Sequence, residues 1–358
     1  MHIQILLTLL LSSSAFANID GAFLDNKYPN LVHPNKSEII RKGFEYKSDT
    51  LSVINFQSSV KSQSSRGTCS IFSATAYLEG LLIKRGSFNK TLDLSEEWLQ
   101  YTSVRNRQSD GSSAWSNFNA IASYGMPGEQ TLPYIGEDWT KVFSSLKDLR
   151  CGKLSGADLN SCLIVHRDPK MLIMSDAQIM SVYSDREFIN ARNEANHLKQ
   201  TELQFSTSNY FISNVSEVKK NLRNKIPVVE VDFYYGAWNH RSADEYNIGR
   251  DTNLWNLGIV TSPELGSVDM LESSKHPAGH SVLVVGYDDN VIVEKLVRLT
   301  NGTTKKVTYK GVYYFKNSWG TSSFGKDFQI DGVKYPGYGM MVQDYAEKFG
   351  QFFVLPLM

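Results

Sequence analysis

Along the chain the apolar positions change their period several times, and each change marks an element. From Ser70 to Gly86, Phe72, Thr75, Leu78, Leu81 and Leu82 recur near helical spacing, and Gly86 supplies a C-terminal stop. A helix is predicted there, with Cys69 at its N-terminus. Ser95 is a plausible cap for a second helix that starts at Glu96-Glu97-Trp98-Leu99. A more polar helical pattern runs from Asp185 to Leu198, and Asn214 with Glu217 reads as a further helix start. After it the period shortens. Pro227-Val228-Val229-Glu230-Val231, Gly279 to Tyr287 and Val312 to Phe315 read as strands, the second ending in a glycine turn at Gly286. At the other end, the apolar run Ile5 to Leu11 leads through three serines to Ala15-Phe16-Ala17, the small-x-small pattern of a signal-peptidase site. A leader over residues 1–17, cut after Ala17, is therefore expected, and with it export to an extracytoplasmic compartment. The run is far shorter than the ~20 residues that span a bilayer, and no later stretch reaches that length, so no membrane anchor is expected.

Composition narrows the function classes. The 358 residues include 37 basic and 37 acidic side chains, so no net field favours nucleic acid. At 41% hydrophobic and 12% aromatic, the chain can bury a sizeable core. Of its three cysteines, Cys151 and Cys162 lie close together in a Gly/Ser/Asp-rich stretch, which predicts a local disulfide and leaves Cys69 as the single thiol. A zinc site from Cys151, Cys162 and His166 fits no tight ligand spacing. His276 and His280 do not share a helix face, because Pro277 and Gly279 intervene. No metal and no cofactor are expected.

A thiol that survives an oxidising compartment is usually buried or functional. At a helix N-terminus the dipole and the unpaired N–H groups favour the thiolate, which predicts a lowered pKa for Cys69. Gln63, six residues earlier, adds a side-chain amide that can join the Cys69 N–H in a two-donor oxyanion hole.

The run from Gln63 through Gly67-Thr68-Cys69 to Phe72-Ser73-Ala74 resembles the nucleophile segment of the papain family of cysteine peptidases. Other segments follow in the family's order. Leu94-Ser95-Glu96-Glu97 resembles its leucine-Ser-Glu-Gln helix start, and Ser109-Asp110-Gly111-Ser112 its glycine loop. Tyr124-Gly125 and Leu132-Pro133-Tyr134 come next. Gly279-His280-Ser281-Val282 through Gly286-Tyr287 resembles the strand of the general base, and Asn317-Ser318-Trp319-Gly320 the segment of the orienting asparagine. The similarity runs from about Ser52 to the C-terminus with one interruption, and Gly337-Tyr338-Gly339 and Phe352 to Pro356 fit the last strands.

The resemblance implies a two-lobed α+β fold, with a helical lobe and a β-barrel-like lobe on either side of the cleft. It implies Cys69 as nucleophile, His280 as base, Asn317 as the group that orients the ring, and Gln63 as an oxyanion donor. Trp319 would shield the histidine–asparagine bond from water, backbone groups of Gly111 and Ser112 would pair with extended substrate, and Val231 would wall the pocket. Protein or peptide substrates, and a proteinaceous inhibitor as a further partner, are implied with it. An acyl- or peptidyl-transferase using the same triad, and a binding protein that keeps the fold without turnover, are the alternative functions.

The departures from the family are specific. Arg66 and Ser109 stand where the family's usual disulfide ties the nucleophile loop to the glycine loop, and Ser70 replaces the tryptophan after the nucleophile. Cys69 and His280 are 211 residues apart, against roughly 130–150 in the family. The excess falls between Lys147 and Ser213, where a surface elaboration is expected, with a lid or partner-binding exosite as the alternative. The expected organisation is thus a leader over 1–17, an extension or short prosegment over 18–50, a helical lobe over about 51–146, the insertion over about 147–213 and a β-rich lobe over about 214–358.

Overall fold

Helix α1, Cys69–Arg85, runs through the middle of the molecule and is buried along most of its length. It ends on Gly86, whose φ of 80° lets the last carbonyls be capped in the left-handed region. The structure is a computed structural model that describes residues 53–203, 211–213, 218, 219, 222 and 226–354. The expected leader, the 18–50 extension and the helix start at Asn214 lie outside the described residues.

Two more helices complete the layer around α1. In α2, Glu96–Val104, Ser95 is the N-cap and accepts from the Trp98 N–H at 3.0 Å, satisfying one of the orphan donors of the first turn. In α3, Ala114–Tyr124, Ser113 caps in the same way through Ser116. Residues 145–201 are largely helical. They comprise α4 (Ser145–Cys151), α5 (Gly156–Val165), α6 (Asp176–Val182) and α7 (Arg186–Thr201). Asp185 caps α7 through the Phe188 N–H at 2.9 Å. The Cys151–Cys162 disulfide joins α4 to α5 and forms a small separate core with Trp139.

The second lobe is built on one sheet. Its strands are β1 (Phe211–Ser213), β2 (Val228–Asp232), β3 (Ile259–Val260), β4 (Gly279–Arg298), β5 (Thr304–Lys316), β8 (Tyr338–Val342) and β9 (Gly350–Val354). The spatial order is β1-β9-β2-β4-β5-β8-β3, all antiparallel except β3 with β8. Short strands β6 (Gln329–Ile330) and β7 (Val333–Lys334) pair separately.

Among the described residues the sheet is open, with β1 and β3 at its edges. One expectation needs correction: the strand carrying His280 does not end at Gly286. The register slips by one residue between Val284 and Gly286, a β-bulge, and β4 continues to Arg298 before a turn through Asn301 and Gly302. A bulge and a turn both use glycine, which is why the sequence alone does not separate them.

Both lobes share one continuous core. Helix α1 lies against β4, and Ser73 of α1 bonds Ser281 of β4 through their hydroxyls at 2.7 Å. That contact brings the N-terminus of α1 to the start of β4.

Candidate active site

Cys69 is the first residue of α1 and is 2% exposed. No side chain caps this helix end, so its first N–H groups, that of Cys69 included, have no intrahelical acceptor. Ser281, the residue that follows His280, bonds Ser73 of the same helix at 2.7 Å. Burial pushes the Cys69 thiol well above its ordinary range, and the Glu230 carboxylate pushes the same way; the N–H groups of Ser281, Ser70 and Cys69 itself pull against them. This rise from burial runs against the lowered pKa expected from the helix dipole. Desolvation, which a helical pattern does not reveal, outweighs the helix end.

His280 is fully buried at the start of β4. Its Nε2 lies 2.9 Å from Asn317 Oδ1, in the residue that follows β5. The same Oδ1 accepts from the Ser318 N–H at 2.8 Å, which identifies it as the carbonyl oxygen. Nε2 must then be the donor, and in a neutral ring the basic lone pair sits on Nδ1. Nδ1 has no hydrogen-bond partner among the described residues. Burial pulls the imidazole down to about 4, opposed by the Asn317 bond.

Trp319 stacks on His280 with ring centroids 4.4 Å apart and planes at 22°. Trp238 meets the same ring edge-on at 5.0 Å and donates its indole N–H to Tyr345 at 2.8 Å. Trp255 stacks behind Trp319 at 5.5 Å. Sequence reasoning found Trp319 through its local motif and missed Trp238 and Trp255, which carry no such motif.

Gln63 is enclosed. Its Oε1 accepts from Ser318 Oγ at 2.7 Å and its Nε2 donates to the Arg66 carbonyl at 2.6 Å. These bonds fix which end is the amide nitrogen and leave it a second hydrogen. Its backbone N–H also donates to Ser318 O at 2.8 Å, so Gln63 is tied to the segment that holds Asn317.

In the glycine loop, Gly111 has a φ of 98°, where a side chain is strained. Ser112 Oγ bonds Ser70 Oγ at 2.8 Å, so the serine that replaces the family's tryptophan fastens the loop to α1. Val231 is buried opposite His280 in the β2–β4 register. One position earlier, Glu230 sends its carboxylate to the Ala114 N–H at 2.6 Å, at the N-terminus of α3. It is 7% exposed, and burial raises its pKa to about 7, that bond opposing. Sequence reasoning assigned Glu230 to a strand and gave it no role, because an acidic residue in V-V-E-V-D looks like the solvent side of an ordinary alternation.

A buried charged cluster backs Asn317. Lys316 Nζ donates to Ser58 O and Oγ at 3.0 and 2.9 Å. Lys61 reaches Glu79 and Glu96 at 2.9 Å each. Burial lowers the Lys316 pKa to about 8. Ser58 Oγ also bonds Glu79 of α1, so the end of β5 is linked to α1 through Ser58. No group of three or more metal-ligating side chains occurs among the described residues, and no described helix is long and apolar enough to cross a membrane.

The family described as papain family cysteine protease matches residues 49–238, more than half of the chain. Cysteine proteinase 1 of Entamoeba histolytica is 34% identical over 100 residues. That alignment covers 25% of this chain and 30% of that protein, so the match spans under a third of the curated relative's length. The crystal structure of xylellain, a cysteine protease from Xylella fastidiosa, superposes with a TM-score of 0.51 at 15% identity, covering 96% of this chain and 97% of that one. That likeness bears on the fold.

Proposed function

The chain belongs to the papain family of cysteine proteases, and from that premise we propose that it hydrolyses peptide bonds in proteins or peptides with Cys69 as nucleophile and His280 as its base. The observation that carries this reading is the pair of bonds at Asn317 Oδ1. They hold the His280 ring in the tautomer whose free nitrogen, Nδ1, is buried, and the next residue, Ser281, bonds Ser73 of α1 at 2.7 Å.

In the proposed cycle, His280 Nδ1 takes the Cys69 proton as the sulfur attacks the substrate carbonyl. The carbonyl oxygen becomes an oxyanion that receives the Cys69 N–H and the remaining Gln63 Nε2 hydrogen. The imidazolium formed on His280 is stabilised by Asn317 Oδ1, then gives its proton to the departing amine. Water, deprotonated by the same ring, cleaves the thioester and returns the thiol. Trp319, stacked over the ring, keeps water from the Nε2–Oδ1 bond. Asn317 Oδ1 and the oxyanion donors act where charge develops in the transition state.

Export is part of the same reading. It is supported by the leader pattern at 1–17 and by the Cys151–Cys162 disulfide, a bond that persists in oxidising compartments. The test of the activity is cleavage of casein under reducing conditions by wild type, Cys69→Ala and His280→Ala. Cleavage by wild type alone supports the reading. Equal cleavage by all three, or none by any, removes it.

A further inference from the structure

Arg66 lies between Gln63 and Cys69 and is 1% exposed. A buried guanidinium is costly unless its donors meet acceptors. Nε and Nη2 grip the two carboxylate oxygens of Asp110 at 3.3 and 2.7 Å, a bidentate pair. Nη1 donates to Ile135 O at 3.0 Å and Nη2 to Ile164 O at 2.6 Å. Burial alone would weaken the charge, but Asp110 together with Tyr134 and Glu97 holds the guanidinium above its ordinary range.

These acceptors come from separate parts of the chain. Asp110 belongs to the loop of Gly111 and Ser112, and also accepts from the Gly67 N–H at 3.3 Å and from Gln100 at 2.9 Å. Ile164 belongs to α5 of the insertion, and its carbonyl is among the last four of that helix, which lack intrahelical partners and form the negative end of the dipole. Nearby, His166 meets Glu97 at 2.8 Å and Glu137 O at 2.9 Å, and Arg167 meets Asp185 at 2.9 Å. Glu97 would be raised by burial but is brought down to about 2 by His166, Arg66 and Arg167. On its other side, the Arg66 carbonyl is the acceptor that holds Gln63 Nε2 at 2.6 Å.

We propose that Arg66 is a positioning residue for hydrolysis: clamped between Asp110 and the inserted helix α5, it fixes the carbonyl that aims the Gln63 amide at the oxyanion. The inference rests on the proteolytic reading above. It gives the insertion a role in supporting the site, and gives Arg66 with Asp110 the loop-tying task for which this chain lacks the family's usual disulfide.

The test is a double-mutant cycle of Arg66→Lys with Gln63→Ala in the full chain. Lysine keeps the charge but cannot supply the planar fork that meets three acceptors. Two rates are read: kcat/KM for a peptide amide, which needs the oxyanion site, and alkylation of Cys69 by iodoacetamide, which forms no oxyanion. Arg66→Lys is expected to lower kcat by about tenfold or more, set against the ~10²–10³ typical of losing an oxyanion donor, with KM and the alkylation rate unchanged. In the Gln63→Ala background it is expected to cost nothing further. An equal loss in both backgrounds, or a parallel fall in alkylation, overturns the proposal by making Arg66 a general structural residue. If Arg66→Lys does not fold, as judged by its melting curve, Asp110→Asn takes its place with the same expectations and the same overturning results. Failure of wild type to hydrolyse the amide would instead sink the proteolytic reading.

Discussion

The two nitrogens of His280 have different neighbours, and pH dependence reads the difference. Burial puts the imidazole pKa at about 4, so the ring is a neutral base above that pH and loses its lone pair as pH falls through it. The acid limb of kcat/KM is therefore expected near pH 4, and His280→Ala should lose on the order of 10²–10⁴ in kcat. Asn317→Ala keeps the base but frees the ring, so its kcat should fall between wild type and His280→Ala. Glu230 gives a second pH prediction. Its negative charge disfavours the Cys69 thiolate, so Glu230→Gln should move the midpoint of Cys69 alkylation to lower pH; a midpoint that stays or rises would contradict the placement of that carboxylate. Of the candidate site, Cys69, His280, Asn317 and Gln63 could be picked out because each sits in its own local motif. Glu230 and the Arg66–Asp110 pair could not, because long-range contacts decide whether a charge is buried, and those contacts leave no periodic trace.

At the scale of elements, the helix after Cys69 and the cap at Ser95 could be read from periodicity and capping chemistry, and both form as expected. The bulge at Gly286 and the extension of β4 to Arg298 could not. The polar run Asp288-Asp289-Asn290 reads as a turn, yet the strand resumes beyond it with Val291, Ile292 and Val293, of which Val293 is buried and Ile292 exposed. Gly125 marks a contact of the insertion. Its φ is 68°, and a Cβ there would stand 2.0 Å from the Ala195 carbonyl of α7. Gly125→Ala should therefore cost at least the ~1–3 kcal/mol of a strained backbone position and loosen α7 from α3, read as faster hydrogen exchange in α7. The Cys151–Cys162 bond closes a short loop, with a sequence separation of 11. Replacing both cysteines by alanine should destabilise the α4–α5 unit by about 3 kcal/mol in urea unfolding, the entropy expected for a loop of that length.

In the whole molecule, one core runs from the helical layer through β4 and β5, so the two sides of the candidate site are held by a common interior. The lobed α+β plan was legible from the change of period along the chain and from the order of motifs. The order of strands in the sheet was not, since strand pairing depends on partners distant in sequence. Nor was the docking of α5, whose Ile164 carbonyl meets Arg66. The central claim is that a single thiol, Cys69, carries out peptide hydrolysis. The direct measurement is the intact mass of the protein with and without an epoxide inhibitor of cysteine peptidases, followed by peptide mapping of the adduct. One adduct on Cys69, formed in step with loss of casein cleavage, is the expected result; no adduct on Cys69, with cleavage undiminished, would contradict it.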